Sequence, residues 1–313
     1  MSNPKKDQKM KKINCLNAAL VLGASVLLTL ISCTAETEEV LNVENQFSGP
    51  LAPVKVQIRD FSVLVDDLPE AQTRAELSPG LYSEVAAVTL AFYASDGTKM
   101  YESTQHKGNA GFGTFSCNLP VGSYTMAVVA YDLMNDDEFT LTSPTVAAFT
   151  SAKVRETFAK TQAVTVTGSA ALDLEVTLAR IVPQLLISST DPRPVGVSKI
   201  RTIYGAGGKS FNPTTGLAID NAGYSLTNNS SAEIGARVEV KNFVFLATDE
   251  QTMDITLEVL DAADEVMVRK VIPNVPLKRN RKTTLSGPIF TPSASSASFV
   301  LETSWLDGNT VEF

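Results

Sequence analysis

Val54-Lys55-Val56-Gln57-Ile58-Arg59 alternates apolar and polar side chains residue by residue. A strand sends successive side chains to opposite faces, so this spacing predicts a β-strand with one face in a core and the other in solvent. The strand is expected to run from Val54 to Val65. Downstream, Val85–Tyr93 is a second strand, followed by Ser95-Asp96-Gly97; Asp-Gly tolerates the positive φ that a tight hairpin needs. Phe112–Leu119 is a third, and Pro120-Val121-Gly122 turns it into a fourth, Tyr124–Tyr131. The same reasoning predicts strands at Ala163–Thr167, Leu172–Leu178, Gln184–Ser188, Ser198–Tyr204 and Gly216–Asp220. It predicts more at Val238–Phe245, Asp254–Leu260, Glu265–Ile272, Thr283–Ile289 and Ser298–Trp305. About fourteen strands punctuated by turn residues indicate an all-β protein of sandwiches, not alternating βαβ units. One short helix is expected, with Ser151 capping Ala152–Lys160. A boundary near Ile181-Val182-Pro183 divides the strands into an N-terminal sandwich, 54–182, and a C-terminal one, 183–313.

The chain has 313 residues, 44% hydrophobic and 19% charged. That allows two domains of roughly 150 residues, each with a core, and is too apolar for a disordered chain. A net charge of −8 argues against nucleic acid as a partner. There is one histidine, so no site can assemble two imidazoles, and a His-dependent triad has little to build on. Composition points away from an enzyme, and no cofactor is expected.

The first residues read as an address. Lys5, Lys6, Lys9, Lys11 and Lys12 form a basic start, and Ala18–Ile31 is an apolar run too short to span a membrane comfortably. It ends in Leu30-Ile31-Ser32-Cys33, which resembles the bacterial lipobox. The resemblance implies cleavage of a signal peptide, 1–32, and lipidation of the Cys33 thiol, with acyl chains holding the protein on a membrane. Cleavage would remove five lysines and one aspartate, taking the net charge to −12. Cys15 would leave with the signal, so Cys117 would be the only free cysteine and no disulfide framework is expected. Cys117, inside a strand-like run, is expected to act as a small buried hydrophobe. Residues 33–53 read as a flexible tether. Their acidic run, Thr34–Glu39, resembles the surface-export signal of Bacteroidetes lipoproteins and reads equally as a solvated linker.

Four further features bear on chemistry. Gly205-Ala206-Gly207-Gly208-Lys209-Ser210 looks like a phosphate loop, but the Walker pattern needs glycine where Ile203 stands and a helix where Phe211-Asn212-Pro213 reads as a turn. A mobile glycine-rich loop is expected instead. His106 lies in a polar connection and has no second His, Cys pair or Gly-x-Ser-x-Gly elbow to work with. Asp132, Asp136, Asp137 and Glu138 lack EF-hand spacing and read as a solvated acidic loop, so no metal is expected. Lys278, Arg279, Arg281 and Lys282 form a basic knot. It reads as charge that discourages edge pairing, with docking of an acidic partner as the alternative.

Several segments together resemble the fimbrillin-type lipoproteins of Bacteroidetes, the anchor and minor subunits of type V fimbriae. They are the lipobox at Cys33, Val88–Tyr93 leading into Asp96-Gly97, Leu119-Pro120-Val121-Gly122-Ser123-Tyr124, Leu178-Ala179-Arg180-Ile181-Val182, and Asn274–Gly287. The resemblance implies two transthyretin-like Greek-key β-sandwich domains in tandem, a palmitate-bearing outer-membrane anchor, and a structural or adhesive role at the cell surface. It implies other fimbrial subunits as partners, with host protein or glycan as further ones. In such assemblies a strand from one subunit fills a groove in its neighbour. Gln72-Thr73-Arg74-Ala75 resembles the site where a trypsin-like protease cuts, here between Arg74 and Ala75. The terminal region, with Phe299, Leu301, Trp305, Val311 and Phe313, is the candidate strand donor. Stalk and anchor both fit, with an accessory or anchor-like subunit favoured. The alternative is a surface lipoprotein that binds glycan or protein through its loops and is not part of a fibre.

Overall fold

In the computed structural model, strand β1 spans Leu51–Ser62, three residues ahead of the expected start. The structure describes residues 50–62, 85–132, 139–151, 153–292 and 300–303, all within one compact unit, Glu38–Phe313. All regular structure among the described residues is strand. After β1 come β2 (Ala87–Ala94), β3 (Lys99–His106), β4 (Thr114–Pro120), β5 (Gly122–Tyr131), β6 (Phe139–Ser143), β7 (Val146–Phe149), β8 (Thr157–Val166) and β9 (Leu172–Arg180). The second half holds β10 (Gln184–Ser189), β11 (Lys199–Tyr204), β12 (Ser210–Asn212), β13 (Leu217–Ala218), β14 (Tyr224–Asn229), β15 (Glu239–Phe243), β16 (Glu250–Leu260), β17 (Val266–Lys278), β18 (Lys282–Gly287) and β19 (Val300–Thr303).

The first half is a seven-stranded sheet in the order β3-β2-β5-β8-β9-β1-β4. β8 and β9 pair only through Phe158↔Arg180 and Ala159↔Ala179, so the sheet folds there into two layers. Between the layers pack Val88, Leu90 and Phe92 of β2, Met126 and Val128 of β5, Phe158, Leu119, and the inner face of β1. That inner face is Ala52, Val54, Val56 and Ile58, then Phe61. The pairing of β1 with β9 slips between Ile58 and Asp60; the extra residue, Arg59, resets the two-residue phase, which is how Phe61 also points inward. At the far edge Gln105 of β3 bridges to β4, donating to the Thr114 carbonyl at 2.8 Å and accepting from the Gly113 amide at 2.9 Å.

The expected hairpin at Asp96-Gly97 joins β2 to β3: Gly97 has φ 86°, and the Asp96 carboxylate accepts from the Thr98 amide at 2.9 Å. The turn after Pro120 does something different. β4 pairs with β1, whereas β5 pairs with β2 and β8, so Val121 carries the chain from one layer to the other. The Tyr124 hydroxyl ties this corner by donating to the Pro120 carbonyl at 2.7 Å.

β2 is buried on both faces. Its other face, Ala87, Ala91 and Tyr93, joins Ala127, Val129 and Tyr131 of β5 against a small sheet ordered β13-β12-β7-β6. That sheet takes two strands from each side of Ile181-Val182-Pro183, and Phe149, Phe211 and Phe245 stack within the core it covers. The second half places sheet β15-β10-β18-β19 against sheet β14-β11-β16-β17. Leu185, Ile187, Ile200, Tyr204, Val240, Leu257 and Leu285 fill the space between.

The helix expected at Ala152–Lys160 does not form; this stretch enters β8. Ser151 caps a turn instead, its hydroxyl accepting from the Lys153 amide and donating to the Lys153 carbonyl, both at 3.3 Å. The residues that follow include Val154, Thr157 and Phe158, which favour extended backbone. Val154 and Phe158 are fully buried once Thr157 pairs with Tyr131. Tertiary pairing overrides the local cap.

The corner bond is testable. Tyr124→Phe removes one donor and leaves the buried Pro120 carbonyl without it. The expected cost is about 1 kcal/mol, a fall in melting temperature of roughly 2–4 °C with unchanged circular dichroism. An unchanged melt would show that the bond contributes nothing.

Candidate subunit-assembly site

β1 lies between β9 and β4, parallel to the first and antiparallel to the second. Both of its backbone edges are therefore paired. Its inner side chains Val54, Val56, Ile58 and Phe61 are at most 3% exposed. At about 1.5–3 kcal/mol for each large apolar side chain, they contribute roughly 6–12 kcal/mol of burial as an upper estimate. That is comparable with the net stability of a whole domain, about 5–15 kcal/mol. Removing β1 would expose the apolar walls of the groove between β9 and β4. The outer face carries Lys55 and Arg59, the latter ion-paired with Glu175, an exposed contact of small worth.

Cys117 of β4 registers opposite Val54 on the inward face. It is half-buried, and burial pushes its thiol up to about 12. At neutral pH it is a protonated thiol beside β1, more exposed than a core residue but of the expected apolar character.

Leu301 sits in β19 opposite Leu285 of β18, at the edge of its sheet. This part of the candidate donor region pairs within its own chain. Cys33, Arg74, Ala75, Phe299, Trp305, Val311 and Phe313 lie outside the described residues, as do Asp136, Asp137 and Glu138. His106 is not in a loop: it closes β3 opposite Ala87 and is half-buried. Among the described residues, no group of three His, Cys, Asp or Glu side chains could hold a metal.

The glycine-rich loop is packed, not mobile. Gly208 exchanges backbone hydrogen bonds with Phe245 at 3.0 and 3.2 Å. Gly207 has φ 78°, and a Cβ there would meet the Phe245 carbonyl oxygen at 2.7 Å. Its glycines allow one backbone to press on another, not on phosphate.

The basic knot is the turn between β17 and β18. Asn280 takes φ 58° at its apex, is buried, and accepts from Arg180 Nη1 at 3.0 Å. Arg180 Nε lies 2.7 Å from Glu156 Oε1, with both side chains at most 3% exposed, and its guanidinium lies over the Phe158 ring. This cluster joins the two halves where β8 meets β9. Arg279 pairs with Asp249 at 2.6 Å and Lys278 with Glu250 at 2.5 Å. Sequence reasoning missed Glu156 and Arg180 as partners. The available signal was phase: Arg180 falls in step with the inward residues Val176 and Leu178, a place where an unpaired charge would be costly.

The fold is that of an all-β protein built from several sheets. The chain belongs to the family of unknown function DUF6562, whose model matches residues 55–299. Among solved structures it is similar to the fimbrial anchor protein Mfa2 from Porphyromonas gingivalis. That match has 11% identity over 82% of this chain and 98% of the other, with a TM-score of 0.49. A candidate adhesin from Bacteroides ovatus matches at 10% identity over 80% and 96%, TM-score 0.49. The tip fimbrial protein Mfa3 from Porphyromonas gingivalis matches at 11% over 82% and 99%, TM-score 0.39. Among curated proteins there is no match.

Cys117 reports on whether β1 is seated. At pH 8 its alkylation in the folded protein should be at least about 100-fold slower than in denaturant, where a thiol titrates near 8.5. The rate should rise about tenfold per pH unit as pH approaches 12, the thiolate being the reactive form. Equal rates in the folded and denatured protein would show that Cys117 is not protected.

Proposed function

We propose that this protein is a lipid-anchored cell-surface subunit of a fimbria, structural or adhesive, assembled by exchange of strands. The observation that carries the reading is the seat of β1. One strand near the N-terminus fills a groove between two others; a cut between Arg74 and Ala75 would sever from β2 both that strand and the lipid at Cys33, so the subunit is anchored only while uncut. Such a groove offers a donated strand backbone partners on both edges and pockets for alternate side chains. The donor is the terminal region from Phe299 to Phe313; β19 is an edge strand, so it can leave its sheet without opening a core between two neighbours. Cys33 is the lipid attachment point, and two sandwiches, 54–182 and 183–313, are the transthyretin-like bodies that the strands connect.

One observation favours a surface binding role beside or instead of assembly. Val195 and Ile234, 75% and 63% exposed, sit on two loops that Arg193 ties together. Its amide donates to the Ala236 carbonyl and its carbonyl accepts from Gly235, both at 2.8 Å, and its guanidinium donates to the Val197 and Ala232 carbonyls. None of the large exposed apolar side chains among the described residues is aromatic. They suit a protein surface better than a sugar ring, which aromatic faces recognise.

A cross-link tests the assembly reading. Val54→Cys places a second thiol opposite Cys117, and oxidation should lock β1 to β4. The locked protein should stay monomeric while its reduced form and the wild type enter fibres; equal incorporation of the locked form would overturn strand exchange. Cys33→Ser should move the protein from the membrane fraction to the medium, and retention in the outer membrane would overturn the anchor.

A further inference from the structure

The outer face of sheet β14-β11-β16-β17 carries a row of charges. Ile200, Leu257 and Ile272 point into the core, so Arg201, Glu258 and Val271, one residue out of phase, point away from it. Arg201 registers opposite Glu258 of β16, and Glu258 opposite Arg269 of β17. The Glu258 carboxylate pairs with both: Oε2 lies 2.9 Å from Arg201 Nη1, and Oε1 lies 3.3 Å from Arg269 Nη1. Its side chain is 6% exposed, whereas those of Arg201 and Arg269 are 30% and 61% exposed. The two arginines roof one carboxylate, and this row of three carries one net positive charge in a chain of net −8.

The next row on the same face is Ile203, Thr256 and Val271, in register across the same three strands. Val271 is 57% exposed, and Met267, two residues before Arg269, is 46% exposed. The Met267 methyl lies beside Gly196, where a Cβ would meet it at 3.6 Å, so the face continues to the loop that presents Val195. Arginine and methionine are enriched where proteins meet. Each contact to Glu258 engages one nitrogen of a guanidinium that has five N–H donors, which leaves donors for a second carboxylate. Glu258 also holds both arginines in place, which lowers the entropy lost when a partner orders them. A second copy docked through this same face would set guanidinium against guanidinium, so the occupant is a different surface of negative charge.

We propose that this face docks an acidic protein surface, one that presents a carboxylate between Arg201 and Arg269 and an aliphatic side chain against Val271 and Met267. The site rests on the surface-binding reading and adds to it the place and the chemistry of the partner. Neither β1 nor β19 takes part, so strand exchange can fail without it.

The test uses the full chain and a fluorescent peptide of alternating Glu and Val, with alternating Glu-Ser and Lys-Val peptides as controls. The Glu-Val peptide should bind at least about tenfold more tightly than either control. Arg269→Ala should weaken that binding at least about tenfold, whereas Lys55→Ala, the same loss of charge on the outer face of β1, should leave it within about twofold. If Arg269→Ala fails to fold, Val271→Glu, which leaves the ion row intact, must weaken binding at least about tenfold. Binding weakened by Val195→Ser with Ile234→Ser but not by Arg269→Ala would keep the surface-binding reading and reject this site; binding that neither change weakens would reject both. No binding, or equal binding of the Lys-Val peptide, would overturn the site. Equal binding of the Glu-Ser peptide would mark an anion site only and overturn it too.

Discussion

The double burial of β2 and β5 governs the architecture. On one face Val88, Leu90, Phe92, Met126 and Val128 fill the core between two layers. On the other, Ala87, Ala91 and Ala127 are small enough to admit a third layer at close range, with Tyr93 and Tyr131 filling the gaps between. An apolar sheet face must be covered, and here the cover is a sheet that draws β6 and β7 from one half of the chain and β12 and β13 from the other. The halves share this core and cannot separate without exposing it. The Glu156–Arg180–Asn280 cluster pins the same junction from outside the core. Its two ions are buried together, so removing either partner would strand a charge, though the intact pair adds little net stability.

Much of this was legible in the sequence, because alternation reports which side of a strand is buried. It does not report what lies beside the strand. Val54–Ile58 was readable as half-buried, yet nothing local marks it as parallel to a strand in the Leu172–Arg180 segment. Pro120-Val121-Gly122 was readable as a turn, but not as a switch between layers, because pairing partners are set by distant residues. The run from Val85 to Tyr93, apolar but for Thr89, lacks the alternation of a half-buried strand, but it was read only as a strand, and the composite sheet that covers its second face could not be inferred. The Ser151 cap misled for the opposite reason: a local preference worth about 1 kcal/mol yielded to two buried side chains and a paired edge.

The site divides in the same way. The glycine loop and His106, singled out for chemistry in the middle of the chain, have structural places: Gly207 in close backbone contact and His106 at a strand end. The basic knot too is structural: Asn280 turns inward and fastens the halves, while Arg279 and Lys278 pair with Asp249 and Glu250 at the rim.

The place of β1 also bears on the order of events as the protein folds. Arg59 and its partner Glu175 are 116 positions apart, and the strands on either side of β1 are both made after it. Closing so long a loop is entropically slow, and non-local pairing dominates the time such topologies take to fold. The first strand to be synthesised is therefore among the last that can find its seat. A chain with β1 unseated would have a gap between β9 and β4. Until β1 docks, the apolar walls of its seat stay in water, and the burial of Val54, Val56, Ile58 and Phe61 is what closes them.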